Sequence, residues 1–433
     1  MAGCMTDSYL PAHGNPGYRV THYHLTLDYR PSAGRLGGRA QIYAIATADL
    51  PGFALDFSGL RTNRVLVDGQ PAARYTHGGD KLRIRPAAPI PAGRAFDVDV
   101  RYTGTPKPIR TRDWGELGWD TLADGALVAS QPIGAPSWFP CNDHPSDKAS
   151  YLISVTTASP YTVVASGELV SRRVGAGSTT WVYHQPAHTP TYLITVQIGQ
   201  YALVDIADGP VPQRAAIPGR LTTAFDHDFA RQPAMVSEFA RLFGPYPFGE
   251  YMVVVTDDEL DVPVEAQGMS VFGANHVDGR RSYERLVAHE LAHQWFGNSL
   301  TVADWRHIWL NEGFATYAEW LWSERSGGES VTRHATRSRA ALAALPQDLV
   351  LADPGVRRMF DDRVYQRGAL ALHALRDAMG DTRFFELLRA WTSSHRHGTV
   401  TTTAFTELAQ RHTHTLLDGL FDAWLRQPAL PPA

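Results

Sequence analysis

The spacing of His289, His293 and Glu312 is the feature that most constrains the fold of this 433-residue chain. Histidines four residues apart lie about 40° apart around an α-helix, one turn from each other, so a helix here brings both imidazoles to one metal ion. Eighteen residues separate His293 from Glu312, which adds a carboxylate. Two imidazoles and one carboxylate hold catalytic zinc and leave a fourth position open. The spacing predicts one zinc ion per chain, bound by these three residues.

Glu290 lies between the two histidines and has a different predicted role. It points about 100° away from His289 around the helix, which places it beside the metal and outside the ligand set. A water on zinc is acidic enough to lose a proton to a neighbouring carboxylate. We therefore predict that Glu290 is the general base of a hydrolytic reaction.

Two predicted helices carry these residues. The first spans 283–296, with Ser282 as a candidate N-cap and Glu284 in the first turn, where a negative charge is favourable. Its apolar residues follow a helical period: Leu286, Val287, Leu291 and Trp295. The second predicted helix covers 308–325 and contains Glu312.

The residues around the predicted ligands form a longer motif. Gln-Trp-Phe-Gly-Asn follows His293, and Trp-Leu-Asn-Glu-Gly-Phe-Ala surrounds Glu312. The segment 287–320 resembles the active-site stretch of the gluzincin zinc metallopeptidases of the aminopeptidase N and leukotriene hydrolase family. The resemblance implies a zinc-dependent aminopeptidase, a hydrolase that removes N-terminal residues from peptides.

The same resemblance implies roles for three more residues. Tyr365 matches the tyrosine of a Tyr-x-Lys-Gly pattern in which Arg367 replaces the lysine, and its hydroxyl is expected to hold the oxyanion of the tetrahedral intermediate. Glu265 aligns with the glutamate that binds the substrate's α-ammonium, although the neighbouring Gly, Met and Asn of the family motif are absent. Gln131 resembles a second residue that binds the amine end of the substrate.

Glu319 is a candidate for a supporting role at the metal. It follows Glu312 by seven residues, which is two helical turns along the same face. Metal-bound imidazoles usually donate their second N–H to a carboxylate or a carbonyl. Glu319 or Asp304 suits this position, and the alternative for Glu319 is a charged residue on the helix surface.

The distribution of apolar residues predicts two domains. Up to about residue 205, apolar and polar residues alternate in short runs between turns, as in Tyr23, Leu25, Leu27 and Tyr29. This pattern predicts an antiparallel β saddle or sandwich domain over 1–207. Helical patterns dominate afterwards, and the family resemblance implies a thermolysin-like, mainly helical catalytic domain over 208–433. Larger family members continue into a C-terminal helical domain, which is not expected here.

Composition limits the classes of partner and the cellular compartment that we expect. The net charge is −4 and no basic run stands out, so nucleic acid is not an expected partner. No stretch approaches the roughly 18 apolar residues of a membrane span. Cys4 and Cys141 do not form a disulfide framework, and the first twenty residues lack the basic and apolar regions of a signal peptide. A cytoplasmic location is therefore expected, with peptides as substrates.

Three alternatives keep the same metal site. The chain could be an endopeptidase, a hydrolase of an epoxide or another small molecule, or an inactive gluzincin that serves as a binding module. N-acetylated peptides separate an endopeptidase from an aminopeptidase. An inactive relative requires a broken catalytic set, whereas all the predicted ligands, the base and the tyrosine are present. The preferred N-terminal residue, the physiological substrate and the oligomeric state stay open at this point.

Overall fold

The computed structural model describes residues 6–432, and these form two compact units. The first, called the β unit here, contains the described residues up to Asp205 together with 214–222 and 249–275. The second, called the helical unit, contains 206–213, 223–248 and the described residues from His276 onward. A β-sheet domain and a mainly helical domain are the predicted fold class, which is confirmed.

The strands, numbered in chain order, are short where the sequence is rich in turns. They are β1 (Tyr18–Arg30), β2 (Arg35–Ala46), β3 (Phe53–Asp56), β4 (Arg61–Val67), β5 (Gln70–Pro71), β6 (Arg74–Gly78), β7 (Lys81–Arg85), β8 (Ala95–Gly104), β9 (Ile109–Arg110), β10 (Glu116–Leu122), β11 (Gly125–Ala129), β12 (Ala149–Ala158), β13 (Thr162–Ala165), β14 (Glu168–Val174), β15 (Ser178–Thr189), β16 (Val196–Gly199), β17 (Tyr201–Asp208), β18 (Pro212–Pro218), β19 (Tyr251–Val255), β20 (Val264–Ala266), β21 (Met269–Phe272), β22 (Thr301–Val302) and β23 (Thr399–Val400).

The largest sheet has eight strands in the order β14-β15-β12-β1-β2-β8-β4-β5. Its strands bury alternate residues, because successive side chains of a strand point to opposite faces. Tyr23, Leu25, Leu27 and Tyr29 of β1 are buried, as the alternating pattern predicts. They join one continuous apolar core with residues of β2, β8 and β12. Pairing is antiparallel except between β1 and β12, which lie too far apart in sequence to form a hairpin.

Residues 249–275 belong to the β unit, although they come after residue 207, where the sequence predicts a single domain boundary. β19 lies next to β18 in a five-stranded sheet and pairs in parallel with β21, which pairs in turn with β20. Apolar residues of these strands, including Val254 and Val271, share a second core with Leu127 and Val164. Strand pairing, a long-range contact, therefore decides the unit to which this segment belongs.

The helices lie mainly in the helical unit and carry the predicted metal ligands. They are α1 (Thr222–Asp228), α2 (Gln232–Phe243), α3 (Glu284–His293), α4 (Trp309–Arg325), α5 (Val331–Ala343), α6 (Asp362–Met379), α7 (Asp381–Ser394), α8 (Thr402–Arg411) and α9 (Asp418–Phe421), which continues as a π-helical turn over Asp422–Arg426.

α4 is the central helix of this unit and packs against both α3 and α6. Fourteen of its seventeen residues, from Trp309 to Trp322, are buried. Aromatic rings fill the space around it, with Phe296 of the turn after α3 stacked on Phe314 at 4.4 Å between ring centroids. A helix buried on every side holds its side chains in fixed positions, which suits a site that must keep a precise geometry.

The predicted N-cap of α3 is wrong by one residue. Tyr283 occupies the N-cap position without a side-chain cap, and Glu284 is the first helical residue. Ser282 instead hydrogen-bonds to Asp278, so its hydroxyl is engaged in the preceding turn. Arg281 in that turn has a positive φ of 59°, and its carbonyl accepts from the Glu284 N–H. This turn, which has no simple sequence signature, sets the start of the helix.

Among the helices of residues 6–432, none is both long enough and apolar enough to cross a membrane. Cys141 is a buried free thiol in the β unit, and Cys4 lies outside the described residues.

Candidate metal centre

Helices α3 and α4 bring the three predicted ligands together. Nε2 of His289 and Nε2 of His293 each lie 3.4 Å from Oε2 of Glu312. All three side chains are buried, and their candidate ligand atoms lie within 4.8 Å of one another. Because the two rings project from successive turns of α3, the local helix alone places them on one side of Glu312.

The second ring nitrogen of each histidine has its own hydrogen-bond acceptor. Nδ1 of His289 lies 2.6 Å from Oε1 of Glu319, and Nδ1 of His293 lies 3.0 Å from the carbonyl oxygen of Phe296. These acceptors favour a proton on Nδ1 of each ring, so Nε2 on the Glu312 side is the ring atom that can bind a metal ion. Two Nε2 lone pairs and a carboxylate oxygen are the donor set that zinc requires, so the residues present fit this metal.

The electrostatics of the site favour a cation. Burial raises the pKa of Glu312, but the imidazoles of His293 and His289 outweigh burial and hold this pKa below its ordinary value. Burial lowers the pKa of His289, but its hydrogen bonds to Glu312 and Glu319 more than offset this and hold the pKa well above its ordinary value. Both directions mean that the site stabilises positive charge next to the buried carboxylates. A divalent cation supplies that charge.

Glu319 is held from outside by Arg285, one turn before His289 on α3. One guanidinium nitrogen, Nη1, lies 3.0 Å from each carboxylate oxygen of Glu319. The arginine side chain is largely exposed, whereas the glutamate is 5% exposed. Asp304, the other candidate for the supporting role, accepts from the Arg306 N–H and caps the short 3₁₀ helix Trp305–His307. The carboxylate in contact with the ligand His289 is thus that of Glu319.

Tyr365 and Glu290 lie in the same unit as the ligands. The Tyr365 ring, on α6, stacks on the His289 ring with 6.0 Å between centroids and 16° between planes. Glu290 is 4% exposed and lies on α3 between the two histidines. The helical unit therefore contains the predicted base, oxyanion donor, metal ligands and Glu319 within α3, α4 and α6.

The two residues predicted to bind the substrate's amine lie in the β unit. Glu265 is a half-buried residue of β20, paired across the sheet with Ser270. Gln131 follows β11, and its Nε2 atom is buried without a hydrogen-bond partner among residues 6–432.

Several contacts of the site have weak sequence signals or none. The Phe296 carbonyl is a backbone group, so nothing in the sequence marks it. Arg285 precedes His289 by four residues, and this helical spacing is a signal that the motif alone does not use. Gly313 and Gly368 allow α4 and α6 to touch: a Cβ on Gly368 would lie 2.6 Å from the Cα of Gly313.

Two protein-family models match the chain. Residues 230–424 match the Peptidase family M1 domain and residues 125–193 match the Peptidase M1 N-terminal domain. Leucine aminopeptidase 2 of Ajellomyces capsulatus is 27% identical over 455 residues, which is 96% of this chain and 71% of that protein.

Solved structures extend the likeness to the whole chain. A mutant M1 zinc metallopeptidase from Deinococcus radiodurans, bound to a Tyr-Ser-Ala substrate, is 30% identical and superimposes with a TM-score of 0.90. The match covers 99% of this chain and 98% of that one. Yeast LTA4 hydrolase shares the fold, at 20% identity and a TM-score of 0.82, over 99% of this chain and 70% of its own. The likeness to the Deinococcus enzyme, together with the two M1 domains, shows that the chain belongs to the M1 family of zinc metallopeptidases.

Proposed function

We propose that this zinc aminopeptidase of the M1 family removes residues one at a time from the free amino end of peptides, with Glu290 as general base and Tyr365 as donor to the oxyanion. The observation that carries the proposal is the buried set of two Nε2 atoms 3.4 Å from one Glu312 oxygen, with Glu290 on the same helix. Zinc, when bound by this set, supplies a Lewis acid that acidifies water and stabilises negative charge on the peptide carbonyl.

Glu290 moves the proton in this mechanism. Its carboxylate accepts a proton from the attacking water and later donates it to the leaving amine. The side chain is 4% exposed, so solvent does not compete strongly for the proton during the reaction. Its position next to His289 in sequence keeps it beside the metal without making it a ligand.

Tyr365 stabilises the oxyanion in this proposal. Its ring packs on that of His289, and a phenol hydroxyl is a hydrogen-bond donor at neutral pH. A donor directed at charge that develops only in the transition state lowers the barrier without tightening substrate binding. Tyr365 therefore contributes to kcat, whereas other residues determine the affinity for the substrate.

Glu265 and Gln131 bind the substrate's ammonium group in this proposal. A carboxylate pairs with an ammonium by charge-assisted hydrogen bonds, and the amide oxygen of glutamine adds a neutral acceptor. Support comes from the alignment of Glu265 with the family's amine-binding glutamate and from the resemblance of Gln131 to the glutamine of the family's N-terminal segment. Anchoring of the free amine makes the enzyme an exopeptidase.

The test of the function compares free and blocked substrates. Zinc content is measured on the purified chain, and hydrolysis is followed with a panel of aminoacyl amides beside their N-acetyl counterparts and an internally quenched peptide. We expect about one zinc per chain and turnover of the free amines only. Cleavage of acetylated peptides at internal bonds would instead indicate an endopeptidase. Turnover of an epoxide substrate without turnover of amides would indicate a small-molecule hydrolase. Zinc binding without turnover of any substrate would indicate a binding module.

Glu265→Gln tests the amine-binding residue directly. Loss of the charge should lower kcat/KM for a leucine amide by at least about tenfold, because a hydrogen bond to a charged group contributes roughly 1.5–3 kcal/mol. Glu259→Gln, an exposed glutamate of the preceding loop, is the matched control and should leave kcat/KM unchanged. Equal kcat/KM in wild type and Glu265→Gln would remove this residue from the mechanism.

A cytoplasmic location and the absence of a nucleic-acid partner complete the proposal. Two cysteines in 433 residues favour a reducing compartment, and a net charge of −4 does not favour binding to phosphate backbones. Fractionation of cells that express the native gene tests the location, and a filter-binding titration with RNA and DNA at low salt tests the partner.

A further inference from the structure

Helix α6 carries two functional side chains on opposite sides. Tyr365 and Arg367 are two residues apart, which places them about 200° apart around the helix. On one side the Tyr365 ring stacks on the metal ligand His289. On the other side the Arg367 guanidinium contacts the segment Ala423–Ala429. The side of α6 that faces away from the tyrosine is thus in contact with the segment Ala423–Ala429.

Arg367 is a buried cation surrounded by carbonyl oxygens. Its side chain is 3% exposed, and Nε donates to Trp424 O at 3.0 Å. Its other nitrogens donate to the carbonyls of Leu349, Ala423 and Ala429 at 3.2 Å and to those of Gln427 and Pro428. Among residues 6–432 no carboxylate lies within ion-pair distance of this guanidinium. Six carbonyls thus share its five N–H groups.

These acceptors include the carbonyls at the end of the last helix. Ala423 and Trp424 lie in the π-helical turn Asp422–Arg426, and the next residues continue without regular structure. Carbonyls in the last turn of a helix have no partner within the helix and carry partial negative charge. The guanidinium satisfies them, so Arg367 acts as a cap that joins this segment to α6.

A second close contact of α6 is with α4. Gly368 lies against Gly313 of α4, where a Cβ on either glycine would approach the other's Cα to 2.6 or 2.7 Å. Gly313 directly follows the metal ligand Glu312. α6 therefore packs both against the helix that carries Glu312 and against the segment that Arg367 caps.

We propose that Arg367 is a positioning residue for Tyr365: by capping the segment Ala423–Ala429 it holds α6 against α4, so that the tyrosine hydroxyl stays where the oxyanion forms. The inference rests on the proposed role of Tyr365. Arg367 touches neither substrate nor metal in this account and acts only through the position of the helix. Burial lowers the pKa of Arg367 to about 10, which is the cost of enclosing the charge and leaves it ionised at neutral pH.

A double-mutant cycle tests the proposal. Wild type, Tyr365→Phe, Arg367→Lys and the double variant are compared by kcat and KM with a leucine amide. Lysine keeps the charge but has three donors on one atom, so it cannot satisfy six carbonyls. We expect Arg367→Lys to lower kcat about tenfold with KM within about twofold of wild type. In the Tyr365→Phe background the same substitution should change kcat less than about twofold, because the hydroxyl it positions is already gone.

Arg376→Lys is the matched control on the same helix. Arg376 lies eleven residues from Tyr365 and also makes several hydrogen bonds, with Nε and Nη2 at 2.8 and 2.9 Å from Asp381. We expect this variant to unfold at a lower temperature and to keep the wild-type kcat. Leu425→Ala, which loosens the capped segment without altering α6, gives a second route if the Arg367→Lys chain does not fold. It should show the same loss of kcat and the same dependence on Tyr365.

The outcomes separate this inference from the function on which it rests. The inference would be overturned if the loss of kcat in the double variant equalled the product of the two single losses. The arginine would then act independently of the hydroxyl. An unchanged kcat in Arg367→Lys with a lower unfolding temperature would assign the arginine a purely structural role and also overturn it. A Tyr365→Phe enzyme with wild-type kcat would overturn the oxyanion assignment itself and the inference with it.

Discussion

Glu290 is a buried carboxylate whose neighbours in the chain, His289 and Leu291, are also buried. A buried carboxylate is costly unless it has a task or a partner charge, and zinc bound by the neighbouring histidines would supply such a charge. Glu290→Gln keeps the shape of the side chain and removes the proposed proton acceptor. We expect kcat to fall by about 10²–10⁴, with zinc content and unfolding temperature close to wild type.

The measurement pairs kinetics with metal analysis. Glu284→Gln, in the first turn of the same helix, is the control for charge removal and should retain wild-type kcat. A zinc-replete Glu290→Gln enzyme with near-normal turnover would show that another group takes the proton.

We predict that Glu319 strengthens the binding of zinc. Its carboxylate orients His289 at 2.6 Å and is itself held by Arg285. Glu319→Gln weakens the acceptor for the Nδ1 proton, so we expect the zinc dissociation constant to rise about 10- to 100-fold. Competition with a fluorescent chelator measures this constant. Glu324→Gln, an exposed glutamate later in α4, is the control, and equal zinc affinity in Glu319→Gln would limit Glu319 to packing.

At this scale the sequence predicts the candidate ligands, but not everything that orients them. The helical period makes His289, His293 and Glu312 predictable, because their relation depends on two local helices and a short connection. The acceptor for His293 is a backbone carbonyl of Phe296, and any residue type at that position could provide it. The partners of Arg367 lie 56 to 62 residues away, apart from Leu349, so no local pattern connects them.

The crossing of α4 and α6 is the feature of the elements that most affects the site. Gly368→Ala adds a methyl group to a contact with no room for it, since the new Cβ would lie 2.6 Å from the Cα of Gly313. Alanine favours a helix by roughly 1 kcal/mol over glycine, but overpacking typically costs about 1–3 kcal/mol. We expect a lower unfolding temperature and a lower kcat, because the helices that carry Glu312 and Tyr365 must move apart.

Gly419→Ala in α9 is the matched control. It is also a helical glycine, but a Cβ there meets no atom within 4 Å. This variant should be as stable as wild type or more so, since it gains helix propensity without a clash. Equal unfolding temperatures in Gly368→Ala and Gly419→Ala would show that the two helices are not held in close contact in solution.

Element boundaries show where local patterns stop being informative. The helices predicted over 331–344 and 362–379 lie at Val331–Ala343 and Asp362–Met379, because long amphipathic periods define them. The two-residue strands β22 and β23 pair with each other across almost 100 residues of sequence, and nothing in either dipeptide predicts a strand. Propensity describes a segment alone, whereas such strands exist only through their partners.

At the scale of the whole molecule, the division into units follows pairing more than sequence order. The change from alternating to helical patterns correctly separates a β-sheet region from a helical one. It does not reveal that residues 249–275 return to the β unit, because YMVVVT is equally compatible with a strand in either region. Only the neighbouring strands β18 and β21 decide this, and they are specified by contacts distant in sequence.

A buried carboxyl group makes the stability of the β unit depend on pH. Asp147 is 6% exposed, accepts from the Val20 N–H at 3.1 and 3.3 Å and also accepts from Asn142. Burial raises its pKa to about 7, against an ordinary value near 3.9 in an unfolded chain. Between these values the folded chain holds a proton that the unfolded chain has lost.

The direction of the pH effect follows from this difference in proton binding. The stability that the protonated group contributes is fully present below about pH 4 and is lost as pH rises towards 7, by at most about 1.4 kcal/mol per pH unit. Asp147→Asn mimics the protonated form and does not titrate. We therefore expect the variant to gain stability relative to wild type as pH rises from 5 to 7, measured by denaturant unfolding at each pH with tyrosine and tryptophan fluorescence. Asp28→Asn, an exposed carboxylate on β1, controls for the change in charge, and parallel pH profiles for wild type and Asp147→Asn would contradict the prediction.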